Sequence, residues 1–336
     1  MEKKEHAHIG IIGSGSWATA MVKMLTDNTN PKQIYWWVRK KEDIDFIRQY
    51  KHNPTYLSAI QVKVKAKNIR SEAKWIIQQS DIIVLNTPAT YLKAALRGID
   101  SKDFEGKLIV SAIKGIIPDE NMIVGEYLMR EYAIPAENII VIGGPCHAEE
   151  VAQEKLSYLT FACQDEKNAA HVADLYETRY IKPILSQDTV GIEYCAVLKN
   201  IYALAGGICH GLGYGDNFQA VLVSNALREM EYFVHNIETH DRDIKASAYL
   251  GDLLVTAYSQ FSRNRTFGKM IGKGYTAQSA QLEMNMVAEG YYASGCIQSI
   301  IQQYQLEMPI CTMVYDVLYR HKPAGVAVTQ LAQNFL

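Results

Sequence analysis

The chain has 336 residues, of which 48% are hydrophobic, so it is long enough for about two domains with a buried core in each. Its 34 basic and 36 acidic side chains give a formal net charge of −2, which offers no electrostatic reason to expect nucleic acid or an anionic membrane as a partner. No stretch reaches the roughly 20 apolar residues that cross a bilayer, and six scattered cysteines without a metal-binding pair indicate free thiols in the cytoplasm.

The first half of the chain predicts short buried strands separated by helices. Strand signals, rich in branched and aromatic residues, lie at Ala7–Ile12, Ile34–Val38, Asp81–Leu85, Leu108–Ala112 and Ile139–Ile142, and a helix is predicted over Trp17–Leu25. Continuous apolar strands with helices between them are typical of a parallel sheet covered on both faces.

Strand signals fade after Asp188, and helical patterns replace them. Helices are predicted over Glu193–Ala205, Ala220–Phe233, Ile244–Tyr258 and Ala277–Ile301. We therefore predict an α/β fold in which a doubly wound sheet over residues 1–190 is followed by an all-helical C-terminal domain over residues 191–336.

A glycine-rich turn connects the first strand to the first helix. Gly13, Gly15 and Ala18 match the pattern G-x-G-x-x-G/A, which is weak alone but here stands between a strand and a helix, as dinucleotide binding requires. Gly13 permits the tight turn, Gly15 lets the backbone approach a pyrophosphate, and Ala18 lets the helix pack on the sheet. The alternative is an ordinary glycine turn. The turn predicts that residues 1–190 form a Rossmann-type dinucleotide-binding domain.

Three basic residues follow the second predicted strand. Where NAD-specific folds carry an acidic residue, roughly 20 residues after the loop, this chain has Arg39, Lys40 and Lys41. A cation there can bind the 2′-phosphate of NADP, so we expect NADP or NAD as the cofactor, with NADPH favoured. The alternative is a solvated basic turn.

Further strings follow the glycine turn in a characteristic order. They are N-P-T-Y-L from Asn53, S-A-I-K-G from Ser111, G-G-P-C-H-A-E-E from Gly143, L-K-N from Leu198, G-L-G-Y-G-D-N from Gly211, G-D-L from Gly251, S-R-N-R from Ser262 and V-A-E-G from Val287. Together they resemble the NAD(P)-dependent glycerol-3-phosphate dehydrogenase family, closest to its bacterial form. The family usually has Gly, Ser and Phe where this chain has Ala18, Cys146 and His147, and Asn86 interrupts an apolar strand end.

The resemblance implies interconversion of sn-glycerol 3-phosphate and dihydroxyacetone phosphate by hydride transfer with NAD(P). It also implies a supply of glycerol phosphate for phospholipid synthesis. The expected partner is a phosphorylated small molecule, with neither nucleic acid nor membrane insertion. The sequence leaves the oligomeric state open, and a homodimer is the assembly to test.

Lys199 is the candidate catalytic acid and base. Its neighbours one helical turn away include Cys195, Ala196, Tyr202 and Ala203, which solvate an ammonium poorly. Desolvation lowers the pKa of a lysine toward neutrality, as proton transfer requires. The alternative from the helix alone is a lysine at a helix edge, and the L-K-N match favours the catalytic interpretation.

The remaining candidates include substrate ligands. Lys114 ends a strand, where open α/β sheets place ligands, and Arg263 and Asn264, with Ser262, can bind a phosphate. By resemblance Asp252 and Thr256 contact substrate, and Asp252 can pair with Lys199. The predicted substrate-binding residues are Lys114, Gly144, Cys146, Asn200, Asp252, Thr256, Ser262, Arg263 and Asn264. Cys146 beside His147 could also suggest a nucleophile, but adjacent residues rarely present both side chains to one point.

The predicted cofactor-binding residues come from the glycine turn, the basic strand end and the resemblance. They are Gly13, Gly15, Ser16, Trp17, Arg39, Lys40, Lys114, Ala148, Arg263, Val287 and Glu289.

Two other functions suit the same sequence. One is a related two-domain hydroxy-acid dehydrogenase, in which the S-R-N-R string would bind the carboxylate of the substrate. The other is a protein that senses NAD(P) without turnover, against which the presence of Lys114, Lys199 and Asp252 argues.

Overall fold

The computed structural model describes residues 7–284 and 288–335. Its strands are, in chain order, β1 Ile9–Ile12, β2 Ile34–Trp37, β3 Ile69–Arg70, β4 Ile82–Leu85, β5 Leu108–Ser111, β6 Ile116–Ile117, β7 Met122–Ile123, β8 Ile139–Gly143, β9 Ser157–Ala162 and β10 Ile181–Ser186. Its α-helices are α1 Ser16–Asn28, α2 Lys41–Tyr50, α3 Ala73–Gln78, α4 Ala89–Ala95, α5 Val124–Tyr132, α6 Ala148–Ala152, α7 Glu166–Tyr176, α8 Thr189–Gly211, α9 Asp216–Ile237, α10 Asp252–Tyr258, α11 Arg263–Gly272, α12 Ala277–Glu283, α13 Glu289–Tyr304, α14 Pro309–Tyr319 and α15 Ala324–Ala332.

The chain forms two compact units. The first contains residues up to 113 together with 124–189, and the second contains residues 114–123 together with those from 190 onward. The sequence analysis assigns residues 114–123 to the N-terminal domain. In the structure this segment, the antiparallel hairpin β6–β7, groups with the helices because β6 packs against α13.

The first unit is built on an eight-stranded sheet. The strand order is β3-β2-β1-β4-β5-β8-β9-β10, and neighbouring strands are parallel except for the antiparallel pair β8 and β9. The predicted Rossmann-type sheet is therefore confirmed, with one antiparallel step added. The helix between β8 and β9 has only five residues, or about 7.5 Å at 1.5 Å per residue, too short to carry the chain back along the strand.

Three strands of this sheet escape the sequence analysis. They are β3 with two residues, and β9 and β10 with six each. β10 contains Pro183, which lacks the N–H that a central strand needs, and it lies at the edge of the sheet, where proline is tolerated.

Apart from the hairpin β6–β7, the second unit is helical, and every strand in the described residues ends before residue 190, so the predicted all-helical C-terminal region is confirmed. The helices predicted over Glu193–Ala205 and Ala220–Phe233 lengthen at both ends and become α8 and α9. The helix predicted over Ile244–Tyr258 is wrong in its first half, because residues 244–246 are not helical and Ser247–Gly251 form a π-helical turn, so that only Asp252–Tyr258 form an α-helix. The single helix predicted over Ala277–Ile301 is wrong, because the backbone is extended at Met284, where α12 ends, and at Ala288, where α13 begins. No glycine or proline marks this break in the sequence.

Helices α8 and α11 cross at unusually close range. A Cβ atom added at Gly207 or Gly211 of α8 would lie 2.2 or 2.4 Å from a backbone oxygen of α11, and one added at Gly268 or Gly272 would lie 2.1 or 2.3 Å from a backbone oxygen of α8. The four glycines form two G-x-x-x-G pairs that interlock backbone against backbone, as small residues do wherever helices approach closely. This crossing fixes α8 relative to α11, the two helices that carry Asn200 and Asn264.

None of the helices in the described residues combines the length and the apolar character needed to cross a membrane.

Candidate functional site

The glycine turn of the first unit lies between β1 and α1. Gly13 has a φ of +142°, and a Cβ atom added there would lie 2.3 Å from the backbone oxygen of Asn86, so no larger residue fits. Gly15 precedes α1, and apart from its own chain neighbours no described residue has an atom within 4 Å of a Cβ atom built on it. Ala18 is wholly buried. The turn thus leaves open space beside Gly15, where the free N–H groups of the helix begin.

Several buried polar atoms lie around this turn. The indole nitrogen of Trp17, Nδ2 of Asn86 and Oγ1 of Thr87 have no hydrogen-bond partner among the residues that the structure describes. Asn86 and Thr87 follow β4, and both approach Gly13 through their backbone. Native proteins leave few buried polar groups unbonded, so these donors fit a ligand rich in acceptors, as a dinucleotide is.

The other predicted cofactor residues of this unit lie at the ends of strands. Arg39 and Lys40 are exposed directly after β2 and Val38. Ser16 and Trp17 are the first residues of α1, and Ala148 begins the short helix α6. Gly144 has a φ of +102°, and a Cβ atom built on it would lie 2.9 Å from the backbone oxygen of Tyr158, so the turn after β8 requires glycine. Cys146, in the same turn, is half-buried and is not part of a disulfide.

The second unit brings Lys114, Lys199 and Asp252 together. Asp252 starts α10, directly after the single π-helical turn Ser247–Gly251, and its Oδ1 accepts a hydrogen bond from Nζ of Lys199 on α8. Nζ of Lys114, which precedes β6, lies 3.1 Å from Oδ2 of the same carboxylate. Lys199 is 4% exposed and Asp252 2% exposed. The result is a buried carboxylate between two ammonium groups.

Burial and charge act on these groups in opposite directions. Burial lowers the pKa of Lys199 below its ordinary value, the Asp252 carboxylate opposes this shift, and the Lys114 ammonium adds to it. For Asp252, burial alone would raise the pKa, but the two lysines outweigh burial and hold it below its ordinary value. Asp252 therefore stays ionised, while Lys199 loses its proton more readily than an exposed lysine.

A chain of amide hydrogen bonds runs beside this cluster. The backbone nitrogen of Gly290 donates to Oδ1 of Asn264 at 2.9 Å, Nδ2 of Asn264 donates to Oδ1 of Asn200 at 2.9 Å, and Nδ2 of Asn200 donates to the carbonyl of Lys114 at 2.8 Å. Asn200 and Asn264 are both buried. These bonds tie the backbone of Lys114 to α8, α11 and α13.

The hydroxyl candidates are engaged within their own helices. Oγ1 of Thr256 donates to the backbone oxygen of Asp252 at 2.7 Å, and Oγ of Ser262 accepts from the backbone nitrogen of Arg265, capping α11. Arg263 is the first residue of α11 and is exposed. Glu289 is the first residue of α13, and Val287 lies outside the described residues.

Comparison with known families matches most of this chain. A family model described as the N-terminus of NAD-dependent glycerol-3-phosphate dehydrogenase matches residues 8–169, and one described as its C-terminus matches residues 188–329. The chain belongs to the NAD-dependent glycerol-3-phosphate dehydrogenase family. The resemblance that the sequence motifs predict is thereby confirmed.

Individual relatives extend this membership over nearly the full length. The chain is 31% identical over 325 residues to a glycerol-3-phosphate dehydrogenase (NAD(P)+) of Agathobacter rectalis, covering 97% of this chain and 95% of that protein. It is 30% identical over 326 residues to that of Bacillus subtilis, covering 96% and 93%. A crystal structure of glycerol-3-phosphate dehydrogenase from Coxiella burnetii has a TM-score of 0.88 at 25% identity and covers 97% of this chain and 98% of that one.

Two features of this family member escape the sequence analysis. One is the salt bridge from Lys114 to Asp252, which joins residues 138 positions apart, so no spacing rule could reveal it. The other is a pair of side chains, Trp36 and Asn53, that hydrogen-bond to the glycine turn. Asn53 opens the N-P-T-Y-L string, so its motif carries a signal, whereas Trp36 reads only as a strand residue.

Proposed function

We propose that this chain interconverts sn-glycerol 3-phosphate and dihydroxyacetone phosphate by hydride transfer with NAD(P), with Lys199 as the proton donor and acceptor. The observation that carries the proposal is the buried ion pair of Lys199 with Asp252, whose carboxylate also pairs with Lys114, within a chain of this family. The nicotinamide of the bound cofactor supplies or accepts the hydride. The protein binds and orients the substrate and transfers the proton.

Lys199 handles the proton. During ketone reduction its ammonium donates a proton from Nζ to the oxygen on which negative charge develops. During alcohol oxidation the neutral amine accepts that proton. Burial makes both forms accessible, because it lowers the pKa of Lys199 from the ordinary value of 10.5.

Asp252 and Lys114 position this proton donor. Oδ1 of Asp252 accepts from Lys199, while Lys114 donates to Oδ2 at 3.1 Å and to Oδ1 at 3.4 Å, so the carboxylate limits the directions in which both ammonium groups can point. Asn200 holds the backbone of Lys114 and is in turn held by Asn264. Lys114 then offers a second cation to the substrate oxygen or the cofactor.

The substrate phosphate is assigned to the start of α11. Arg263 is exposed there and carries a guanidinium suited to paired hydrogen bonds with phosphate oxygens. Asn264 and Ser262 flank it, although both already make hydrogen bonds within the unit. We therefore assign the phosphate mainly to Arg263, with Gly144, Cys146 and Thr256 as further substrate contacts.

The cofactor is assigned to the glycine turn and the basic end of β2. Gly13, Gly15, Ser16 and Trp17 would hold the pyrophosphate region. Arg39 and Lys40 would hold a 2′-phosphate, so NADPH is the preferred form. The resemblance adds Lys114, Ala148, Arg263, Val287 and Glu289.

The decisive experiment measures NADPH oxidation with dihydroxyacetone phosphate and with carboxylated ketones of similar size. Turnover of the phosphorylated ketone supports the proposal. Turnover of carboxylated ketones alone would make the chain a hydroxy-acid dehydrogenase, and tight NADPH binding without any turnover would make it a sensor.

Three further assignments accompany this function. We place the enzyme in the cytoplasm, because none of the six cysteines, all within the described residues, is part of a disulfide, and we assign it to the supply of glycerol phosphate for phospholipids. A homodimer is the assembly to test, by sedimentation of the purified chain.

A further inference from the structure

Two side chains outside the glycine turn donate hydrogen bonds to its backbone carbonyls. The indole Nε1 of Trp36, on β2, donates to the carbonyl oxygen of Gly13 at 2.7 Å, and Trp36 is wholly buried. Since its ring cannot move without opening the core, the direction of the Gly13 carbonyl is fixed.

Asn53 holds the next peptide group. Its Nδ2 donates to the carbonyl oxygen of Ser14 at 3.1 Å and to Oγ1 of Thr19 at 2.9 Å, while its Oδ1 accepts from the backbone nitrogens of Thr55 and Tyr56 at 3.0 Å each. Asn53 is 2% exposed. Both amide hydrogens are used, so the carboxamide has one orientation and cannot rotate without losing several bonds.

Because the peptide group is planar, fixing a carbonyl also fixes the direction of the N–H group that follows it. The described chain contains no cis peptide bond, and in a trans peptide the C=O and the following N–H point in opposite directions. Trp36 draws the Gly13 carbonyl toward β2, so the N–H of Ser14 points away from it. Asn53 likewise directs the N–H of Gly15 away from itself.

We infer that Trp36 and Asn53 are positioning residues that hold the Ser14 and Gly15 N–H groups ready for the cofactor pyrophosphate. The inference rests on the proposed function, because it assumes that the glycine turn binds NAD(P). Neither side chain is assigned a contact with the cofactor. Both act by fixing peptide planes before binding, which removes the cost of ordering the turn when the cofactor arrives.

Trp36→Phe is the sharpest test, since it keeps an aromatic ring and removes the N–H donor. Its matched control is Trp37→Phe on the same strand, which removes an indole bond of 2.8 Å to the carbonyl of Ser71. Calorimetry would measure the dissociation constants of NADPH and of adenosine 2′-monophosphate, which has no pyrophosphate. We expect Trp36→Phe to weaken NADPH binding about three- to tenfold, the range of one hydrogen bond.

Three accompanying results are expected. Trp37→Phe should bind NADPH with the same dissociation constant as the parent. Both variants should bind adenosine 2′-monophosphate as the parent does. The kcat of Trp36→Phe at saturating NADPH should change less than about twofold, because Trp36 belongs to the first unit and the residues assigned to proton transfer belong to the second. NADPH binding by Trp36→Phe equal to the parent would overturn the inference. So would an equal loss for both nucleotides, which indicates general damage. A parent that binds neither nucleotide would instead refute the proposed function.

Asn53→Asp provides a second route if Trp36→Phe does not fold. It keeps the acceptor for Thr55 and Tyr56 and loses both donated bonds. Asn68→Asp is its control, because Nδ2 of the buried Asn68 also donates to two carbonyls, those of Lys32 and Ile34. A selective loss of NADPH affinity in Asn53→Asp supports the inference, whereas equal losses in the two variants contradict it.

Discussion

Lys199 and Asp252 lie 53 positions apart in the chain and form a buried ion pair, and Lys114 lies nearest to the other oxygen of the same carboxylate. Breaking a buried pair by removing one partner leaves an uncompensated charge. Because the cluster holds two cations and one anion, loss of either lysine still leaves the carboxylate paired. Loss of Asp252 would remove the carboxylate that lies between the buried ammonium of Lys199 and the partly exposed ammonium of Lys114.

Lys199→Ala should lower kcat by about 10² to 10⁴, the usual contribution of a positioned acid or base. Lys199→Arg should rescue little, since guanidinium keeps its proton near neutral pH. The dissociation constant of NADPH should stay nearly unchanged in both. Steady-state turnover and calorimetry measure the two quantities, with the exposed Lys245→Ala as control. Parental turnover in Lys199→Ala would make Lys199 structural.

Asp252→Asn should move the pH profile of ketone reduction to lower pH. Reduction needs protonated Lys199, so kcat falls as pH rises through the pKa of that lysine. The Asp252 carboxylate raises this pKa against the effect of burial, and its neutral replacement should therefore lower it further. The descending limb of kcat against pH, measured in both enzymes, gives the answer, and an unmoved limb would exclude Asp252 as the group that tunes Lys199.

Arg39→Asp should raise the KM for NADPH more than that for NADH, because a carboxylate repels the 2′-phosphate and can bind a ribose hydroxyl. The matched control is charge reversal at Arg97, which is also exposed in the first unit. Initial-rate measurements with NADPH and with NADH give the two KM values in the parent and in each variant. Equal changes in the two KM values would remove Arg39 from cofactor selection.

Cys146→Ser should leave most of the turnover intact. The thiol is half-buried and not part of a disulfide, and we assign it a positional role in the turn after β8. Rates measured before and after treatment with a thiol reagent would complete the comparison. Loss of several orders of magnitude in Cys146→Ser would mean that the sulfur takes part in the chemistry.

Glu229 should make stability depend on pH. Its carboxylate accepts the backbone N–H groups of Ile310 and Cys311 at the start of α14, and burial raises its pKa from 4.5 to about 7. A carboxyl whose pKa is raised on folding contributes stability below its unfolded pKa, and this stability is lost as pH rises through the folded pKa. The parent should thus lose up to about 3 kcal/mol between pH 4.5 and 7.5 that Glu229→Gln, which cannot ionise, does not lose.

Denaturant unfolding of both proteins across that pH range measures the difference. Exposed Glu231→Gln is the control and should follow the parent. Parallel curves for the parent and Glu229→Gln would show that Glu229 does not titrate in this range.

Local patterns predicted the parts of the fold that local physics determines. The apolar runs of β1, β4 and β5 were visible because strands buried on both faces need continuous hydrophobicity. The same rule missed β10, whose Ile184 and Leu185 are exposed and whose Pro183 is atypical of strands. The break between α12 and α13 was missed because extended backbone at Met284 and Ala288 leaves no compositional trace.

The residues of the candidate site could be proposed one by one from the sequence, but their arrangement could not. The small neighbours of Lys199 indicated its burial, and family strings identified Asp252 and Asn264. The contacts of Lys114 with Asp252, and of Asn200 with Asn264, depend on how distant segments pack. That packing includes the glycine crossing of α8 and α11, where each glycine looks ordinary until the opposing backbone is seen.

The second unit is discontinuous in sequence, since residues 114–123 belong to it while both flanking segments belong to the first. A fragment cut at residue 190 would therefore lack Lys114, the hairpin β6–β7, and the backbone carbonyl that Asn200 binds. In such a fragment Asp252 would keep its ion pair with Lys199 but lose the one with Lys114. The surface of α13 on which β6 packs would also be exposed. Limited proteolysis between residues 113 and 124 should consequently damage the helical unit while leaving every one of its own helices intact in sequence.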